Sequence, residues 1–324
     1  MFLRDMFIKL SENEMMNSAA QNYGYKLGAQ HVVAGRNLEE AIDSIRELNA
    51  KGISCTIDNL GEFVHSEEEA TAAKEQILYV IEAIEREQLD AHISVKPSQL
   101  GLDIDVDFCY DNLREIVERA SQSNIFVNFD MENYDRLEIT LDMVEELAKS
   151  FDNVGTVIQA YLLRAQQDIE RFKNFRLRIV KGAYKESNVV AHHDKLEIDL
   201  NFIELIEYHL LHGQFTSIAT HDDAIISHVK RFVKEHNIPQ EKFEFQMLYG
   251  FRKDRQLALA QEGFNFCVYV PFGEDWYGYF MRRLAERPQN INLVTKQVFN
   301  KKTNTILALT AGAFVISRLA KKRK

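Results

Sequence analysis

The sequence predicts an α/β fold, and within that class a (β/α)8 barrel preceded by N-terminal helices. Three observations lead there. Eight short runs rich in β-branched and aromatic residues alternate with segments of helical period. Only four prolines occur and no Ser/Gly-rich stretch, so no interdomain linker is visible before the C-terminal tail. Neither GxGxxG nor GxxxxGK followed by Ser or Thr is present, which removes the usual Rossmann and P-loop readings. Parallel strands joined by crossover helices then close most naturally into a barrel.

In chain order, a helical opening covers about residues 3–51. The strand runs follow as ISCTID (53–58), AHISVKP (91–97), IFVNFDME (125–132), GTVIQAYL (155–162), RLRIVKGAY (176–184), TSIATHD (216–222), FEFQML (243–248) and FCVYVPFG (266–273). Amphipathic segments lie between them: EEATAAKEQILYVIEAIERE, FCYDNLREIVERA, RLEITLDMVEELAKS, LEIDLNFIELIEYHLL, DDAIISHVKRFVKEH and KDRQLALAQEG. The expected organisation is N-terminal helices packing on the barrel (1–50), a catalytic barrel (51–290), and a basic tail with a short apolar helix (291–324).

At 324 residues, 46% hydrophobic and 27% charged, the chain can bury a sizeable core. Cys55, Cys109 and Cys267 form no CxxC pair, which excludes a disulfide framework and a structural zinc site and fits a reducing cytosol. A net charge of -10 argues against a nucleic-acid binder. The sign is uneven. Residues 287–324 carry nine Lys or Arg and no acid, leaving about -19 on the rest. The opening MFLRDMFIKLSENEMM has early acids and no small-residue cleavage site, so no secretory signal is expected. The longest apolar run, 306–316, falls short of the roughly 20 residues of a spanning helix.

A barrel of this kind builds its active site at the C-terminal ends of its strands. Those ends are polar in all eight runs: Asp58 and Asn59, Lys96, Asp130 and Glu132, Gln159 and Tyr161, Arg178 with Lys181, Thr220 with His221, Gln246, and Tyr269. Any one alone reads as a solvated loop residue or a helix cap; eight together point to a site. In RLRIVKGAY, alternation puts Arg176, Arg178 and Val180 on one face and Leu177, Ile179 and Lys181 on the other. A buried guanidinium needs a partner, which an anionic or electron-rich ligand would supply. Gly182 and Ala183 then allow close backbone approach of a flavin or phosphate. On a helix, Tyr279, Arg282, Arg283 and Glu286 share one face, and adjacent arginines can grip a carboxylate bidentately. His192 and His193 have no spaced third ligand, so no metal is predicted.

These motifs resemble the proline dehydrogenase family. YFMRRLAE fits its YxxRRxxE signature, and ISVKPSQLG, FDME, VIQAY, RIVKGAY, ATHD, FQMLYG and VYVPFG fit its strand-end motifs in the same order, over roughly residues 1–290. The length is similar to that of the monofunctional bacterial members. The resemblance implies a distorted (β/α)8 TIM-type barrel that binds FAD without a Rossmann domain, oxidises L-proline to Δ1-pyrroline-5-carboxylate and passes electrons to a membrane quinone. It implies that Lys96, Arg282 and Arg283 hold the proline carboxylate, with Glu286 balancing them, and that Tyr269, Leu248 and Tyr184 wall the proline ring. Asp130, Arg178 and Tyr269 match catalytic positions, Arg178 also lying near the flavin. Met131, Gln159, Lys181, Gly182, Ala183, Thr220, His221 and Gln246 match flavin contacts. The chain departs from the family pattern at Tyr249, where His is common, and at Asp222, where Asn is common.

Two other readings fit the barrel. A Schiff-base lyase would use Lys96 or Lys181 as a desolvated amine, but it leaves Arg282 and Arg283 without a role. A non-enzymatic binding barrel at a membrane leaves the crowded strand ends without one. The expected location is cytoplasmic. The tail adds a second expectation, peripheral attachment to the inner face of the cell membrane, because apolar 306–316 is flanked by Lys301, Lys302, Arg318, Lys321, Lys322, Arg323 and Lys324.

Overall fold

In the computed structural model, which describes residues 32–61 and 64–286 with side chains up to Met281, all eight runs form strands. They are β1 (Ser54–Asn59), β2 (Ala91–Val95), β3 (Val127–Phe129), β4 (Val154–Gln159), β5 (Arg176–Val180), β6 (Phe215–Ala219), β7 (Phe243–Leu248) and β8 (Phe266–Phe272). Each is parallel to the next, and the sheet closes where β1 pairs with β8 from Ser54↔Cys267 to Asn59↔Phe272. The expected (β/α)8 barrel is the fold.

Several runs extend past their ladders. IFVNFDME pairs only over Val127–Phe129, GTVIQAYL ends at Gln159, and RLRIVKGAY ends at Val180, two residues before Gly182 turns to φ +103°. The residues beyond each ladder are the mouth of the barrel.

The helices are α1 (Leu38–Asn49), α2 (Glu67–Glu87), α3 (Val106–Gln122), α4 (Tyr134–Ala148), α5 (Ala165–Arg171), α6 (Lys195–His212), α7 (Asp223–Glu235), α8 (Lys253–Gln261) and α9 (Trp276–Glu286). Seven-residue α5 is too short to show a helical period, so no amphipathic segment marks it in the sequence. Caps fix several starts. Ser66 Oγ accepts from Glu69 N, satisfying one helix-end donor of α2, while Glu69 Oε2 reaches back to accept from His65 N just before the cap. Asp222, where the family pattern carries Asn, caps α7 by accepting from Ala224 N at 2.9 Å.

The apolar core lies between the sheet and the helices, not inside the barrel. Outward strand residues Ile57, Val95, Phe129, Ile179, Phe245 and Val268 are buried against helix residues such as Ile81, Leu113, Ile116, Val144 and Leu205. Each such side chain contributes roughly 1.5–3 kcal/mol. The inward positions are polar instead. Thr56, Ser94, Asn128, Arg178, Ser217, Glu244 and Gln246 are all buried.

The described residues fall into two compact units, Ala34–Gly273 and a second that holds Val32, Val33 and residues 274–286. The first contains α1, the barrel and α2 to α8; the second contains α9. Of the expected N-terminal helices, α1 is described, and residues 1–31 lie outside the described residues, as does the tail from 287 onward. No helix among the described residues is long and apolar enough to cross a membrane.

Candidate active site

Period-two alternation turns Thr56 and Asp58 of β1, and Ser94 of β2 followed by Lys96, toward the barrel axis. At the mouth, Lys96 Nζ donates to Asp58 Oδ1 at 2.7 Å. The Tyr269 hydroxyl, from β8, contacts Asp58 Oδ2 at 2.6 Å and Asp130 Oδ2 at 2.8 Å. Lys96 Nζ also stands 3.5 Å from that hydroxyl and 3.7 Å from Asp130 Oδ2. Burial pushes the Asp58 carboxyl above its usual range, with Lys96 opposing and Asp130 adding to the shift. Burial, then the two carboxylates, push the Tyr269 phenol well above its usual value, so it remains a donor.

Below this layer, every nitrogen of Arg178 is engaged. NH1 donates to Asp130 Oδ1 at 2.5 Å, Nε to Gln246 Oε1 at 2.7 Å, and NH2 to Ser94 Oγ at 3.1 Å and Thr56 Oγ1 at 3.2 Å. Its guanidinium carbon lies 5.3 Å from the centre of the Tyr269 ring. Asp130 is braced further by Asn128 Nδ2 at 3.0 Å and Ser94 Oγ at 3.2 Å. From the sequence, a ligand is the expected anionic partner of a buried arginine. The partners found are protein carboxylates, Asp130 for Arg178 and Glu244 for Arg176. Strand alternation reveals which residues face inward, but not which strand stands across the barrel.

The expected cofactor residues lie near the C-terminal strand ends, but their side chains take different directions. Gln159 Nε2 donates to the Glu132 carbonyl at 3.2 Å. Glu132 in turn accepts from Ser98 N at 2.9 Å and from Ser98 Oγ, and burial raises its carboxyl despite both bonds. Lys181 departs from the barrel axis: its ammonium pairs with Asp199 of α6, lies 3.8 Å from Asp222 and sits over Phe202. At Gly182 the close neighbour is protein, since a Cβ there would fall 2.1 Å from the Tyr161 ring. Thr220 Oγ1 accepts from Asp222 N, and His221 Nε2 accepts from Leu248 N at 3.3 Å. Met131 is buried, Tyr184 and Leu248 are half-buried, and Ala183 is exposed. His192 Nδ1 lies 3.2 Å from Glu197 Oε2. Tyr279 is carried on α9; the side chains of Arg282, Arg283 and Glu286 lie outside the described residues.

Asp58 is a polar strand end to which the sequence assigns no role, yet it is the carboxylate that holds both Lys96 and Tyr269. Its inward parity with Thr56 was the available signal.

One buried atom tests whether a flavin suits this mouth. The carbonyl oxygen of Gln159 is buried and has no protein donor. A buried acceptor of this kind calls for a donor, and the imide N–H of a flavin ring is one. The Arg178 guanidinium, held beside Asp130, supplies positive charge of the sign that suits a ring system gaining negative charge on reduction. The residues present fit FAD.

A family model described as proline dehydrogenase matches residues 41–296. "Proline dehydrogenase 2" of Bacillus subtilis (strain 168) is 46% identical over 303 residues, covering 93% of this chain and 100% of that protein. "Proline dehydrogenase" of Deinococcus radiodurans is 38% identical, over 90% of this chain and 96% of its own length. Among solved structures, proline utilization A (PutA) from Bdellovibrio bacteriovorus, inactivated by N-propargylglycine, superposes with a TM-score of 0.77 at 22% identity. That match covers 92% of this chain but 39% of the longer one, and is a likeness of fold.

Proposed function

The chain belongs to the proline dehydrogenase family, and we propose that it oxidises L-proline to Δ1-pyrroline-5-carboxylate with FAD and delivers the electrons to a membrane quinone. The observation that carries the reading is the paired set Lys96–Asp58 and Arg178–Asp130, joined by the Tyr269 hydroxyl, together with the open acceptor of Gln159 at the end of β4. FAD, when bound, supplies a hydride acceptor for the ring carbon beside the proline nitrogen.

The chain's own residues do the positioning. The family motifs assign the substrate carboxylate to Lys96, Arg282 and Arg283, with Glu286 as the balancing charge. Asp58 holds Lys96 in place from the opposite side. Tyr269, Leu248 and Tyr184 form the wall against the proline ring. Asp130 holds Arg178, whose positive charge would favour a reduced, anionic flavin. Met131, Gln159, Lys181, Gly182, Ala183, Thr220, His221 and Gln246 hold the cofactor. The Schiff-base alternative requires an uncharged, desolvated lysine, whereas Lys96 and Lys181 both stand in ion pairs with carboxylates.

Anaerobic titration of the purified protein with L-proline tests the assignment. The expected result is a yellow protein whose flavin absorbance bleaches on addition of proline; a protein that neither carries nor takes up FAD overturns it.

The same reading gives the basic tail its purpose. A quinone acceptor dissolved in a bilayer requires a meeting with the membrane, and lysines and arginines near anionic headgroups contribute about 1 kcal/mol each. Truncation after Asn300 is expected to abolish salt-sensitive binding to anionic liposomes and to leave turnover with a soluble dye intact. Full-length protein that ignores such liposomes at low salt overturns the attachment.

A further inference from the structure

One buried carboxylate in the barrel lies outside the catalytic layer and yet connects to it. Glu244, on β7, is 4% exposed, and a single oxygen, Oε1, accepts three hydrogen bonds: from Gln246 Nε2 at 2.6 Å, Ser217 Oγ at 2.7 Å and Arg176 NH2 at 2.8 Å. Arg176 is itself clamped, its guanidinium carbon 4.5 Å from the centres of both the Phe126 and Phe215 rings. Glu244 is therefore anchored from below and has Gln246 directly above it.

The Gln246 amide has two different ends, and each is claimed. Its nitrogen can only donate, and it meets a carboxylate; its oxygen can only accept, and it meets Arg178 Nε at 2.7 Å. We propose that Glu244 is a positioning residue for the reaction, fixing the Gln246 amide so that its oxygen holds Arg178 in place beside Asp130. The inference rests on the proposed flavoenzyme reading. It concerns a residue that touches neither substrate nor the reacting atoms. Arg178 has a carboxylate on one edge, two hydroxyls on another and the Gln246 oxygen on the third. Loss of the Gln246 hold on Nε frees the guanidinium to leave the position beside Asp130 that the three edges define.

A positioning role and a simple field effect predict opposite signs. Removing a negative charge beneath the site, with nothing else changed, makes the surroundings more positive and raises the midpoint potential of the bound flavin. Displacing Arg178 removes positive charge from the mouth and lowers that potential. The test compares holoenzymes of Glu244→Gln, Gln246→Leu and the double variant for kcat, KM, thermal midpoint and flavin midpoint potential. Glu244→Gln is expected to lower kcat about tenfold with KM for proline within about twofold, and to lower the potential. In the Gln246→Leu background the same substitution is expected to change neither quantity further, because the amide that transmits the effect is gone. A potential that rises or stays fixed, or effects that add in the double variant, overturns the proposal. Should Glu244→Gln fail to fold, the pair Arg176→Met with Glu244→Met replaces both charges by apolar groups and reads the same potential. The potential is measured without substrate, so a wild-type protein that proline fails to bleach defeats the activity assignment and leaves this comparison standing.

Discussion

The phenol oxygen of Tyr269 lies 2.6 Å from Asp58 Oδ2, tying the last strand to the first at the seam where the barrel closes. One carboxylate thus serves a tyrosine on one oxygen and Lys96 on the other. Asp58→Asn keeps the size but offers one acceptor where there were two, and places an amide N–H against a lysine or a phenol. Loss of a charge-assisted bond worth about 1.5–3 kcal/mol corresponds to a fall in kcat/KM of roughly 10- to 100-fold. Steady-state kinetics with proline check it; a value within twofold of wild type refutes the role.

Arg282→Ala and Arg283→Ala are each expected to raise KM for proline by at least about tenfold while FAD stays bound, since each removes a charge-assisted carboxylate contact. The readouts are proline kinetics and the flavin absorbance of the purified variants. Loss of FAD with unchanged proline affinity contradicts the assignment.

The strands and the polar character of their ends were legible because both are local: β-branched runs and alternation reveal themselves in a few residues. The partners were not. Arg178 meets Asp130 and Gln246, residues 48 and 68 positions away in the chain, and only closure of the barrel brings them together. Lys181 reads as a mouth residue, yet its ammonium reaches outward to Asp199, as its place on the face of Leu177 and Ile179, opposite Arg178, dictates. The short α5 escaped for a simpler reason, since seven residues contain under two helical turns.

Gly182→Ala is expected to be disruptive for two independent reasons. The backbone sits at φ +103°, where a side chain is strained, and the new Cβ would fall 2.1 Å from the Tyr161 ring. A cost of about 1–3 kcal/mol follows from the backbone alone. Displacement of Tyr161 would add to it and disturb the neighbouring cofactor residues. Thermal unfolding and the FAD content after purification report on the two effects. An unshifted melting temperature with full flavin content shows that the loop adapts.

His209 gives the fold a pH dependence that can be isolated by one substitution. The ring is 1% exposed, its Nδ1 pairs with Thr216 Oγ1 at 2.8 Å, and a Cβ at Gly213 would collide with it. Burial lowers the imidazole pKa from 6.5 to about 4. Between those values the unfolded chain takes up a proton that the folded chain refuses, so the contribution is present above the unfolded value and is lost as pH falls. The slope approaches about 1.4 kcal/mol per pH unit, or roughly 3 kcal/mol over the window. Burial depresses His92 as well, in the same sense, whereas the raised carboxyls of Asp58 and Glu132 act oppositely. The informative quantity is therefore the difference between wild type and His209→Gln. Denaturant unfolding at pH 7 and pH 4.5 is expected to show the wild-type advantage shrinking by about 2–3 kcal/mol at the lower pH. An advantage that stays constant across that range would mean that the imidazole protonates as readily in the folded protein as in the unfolded chain.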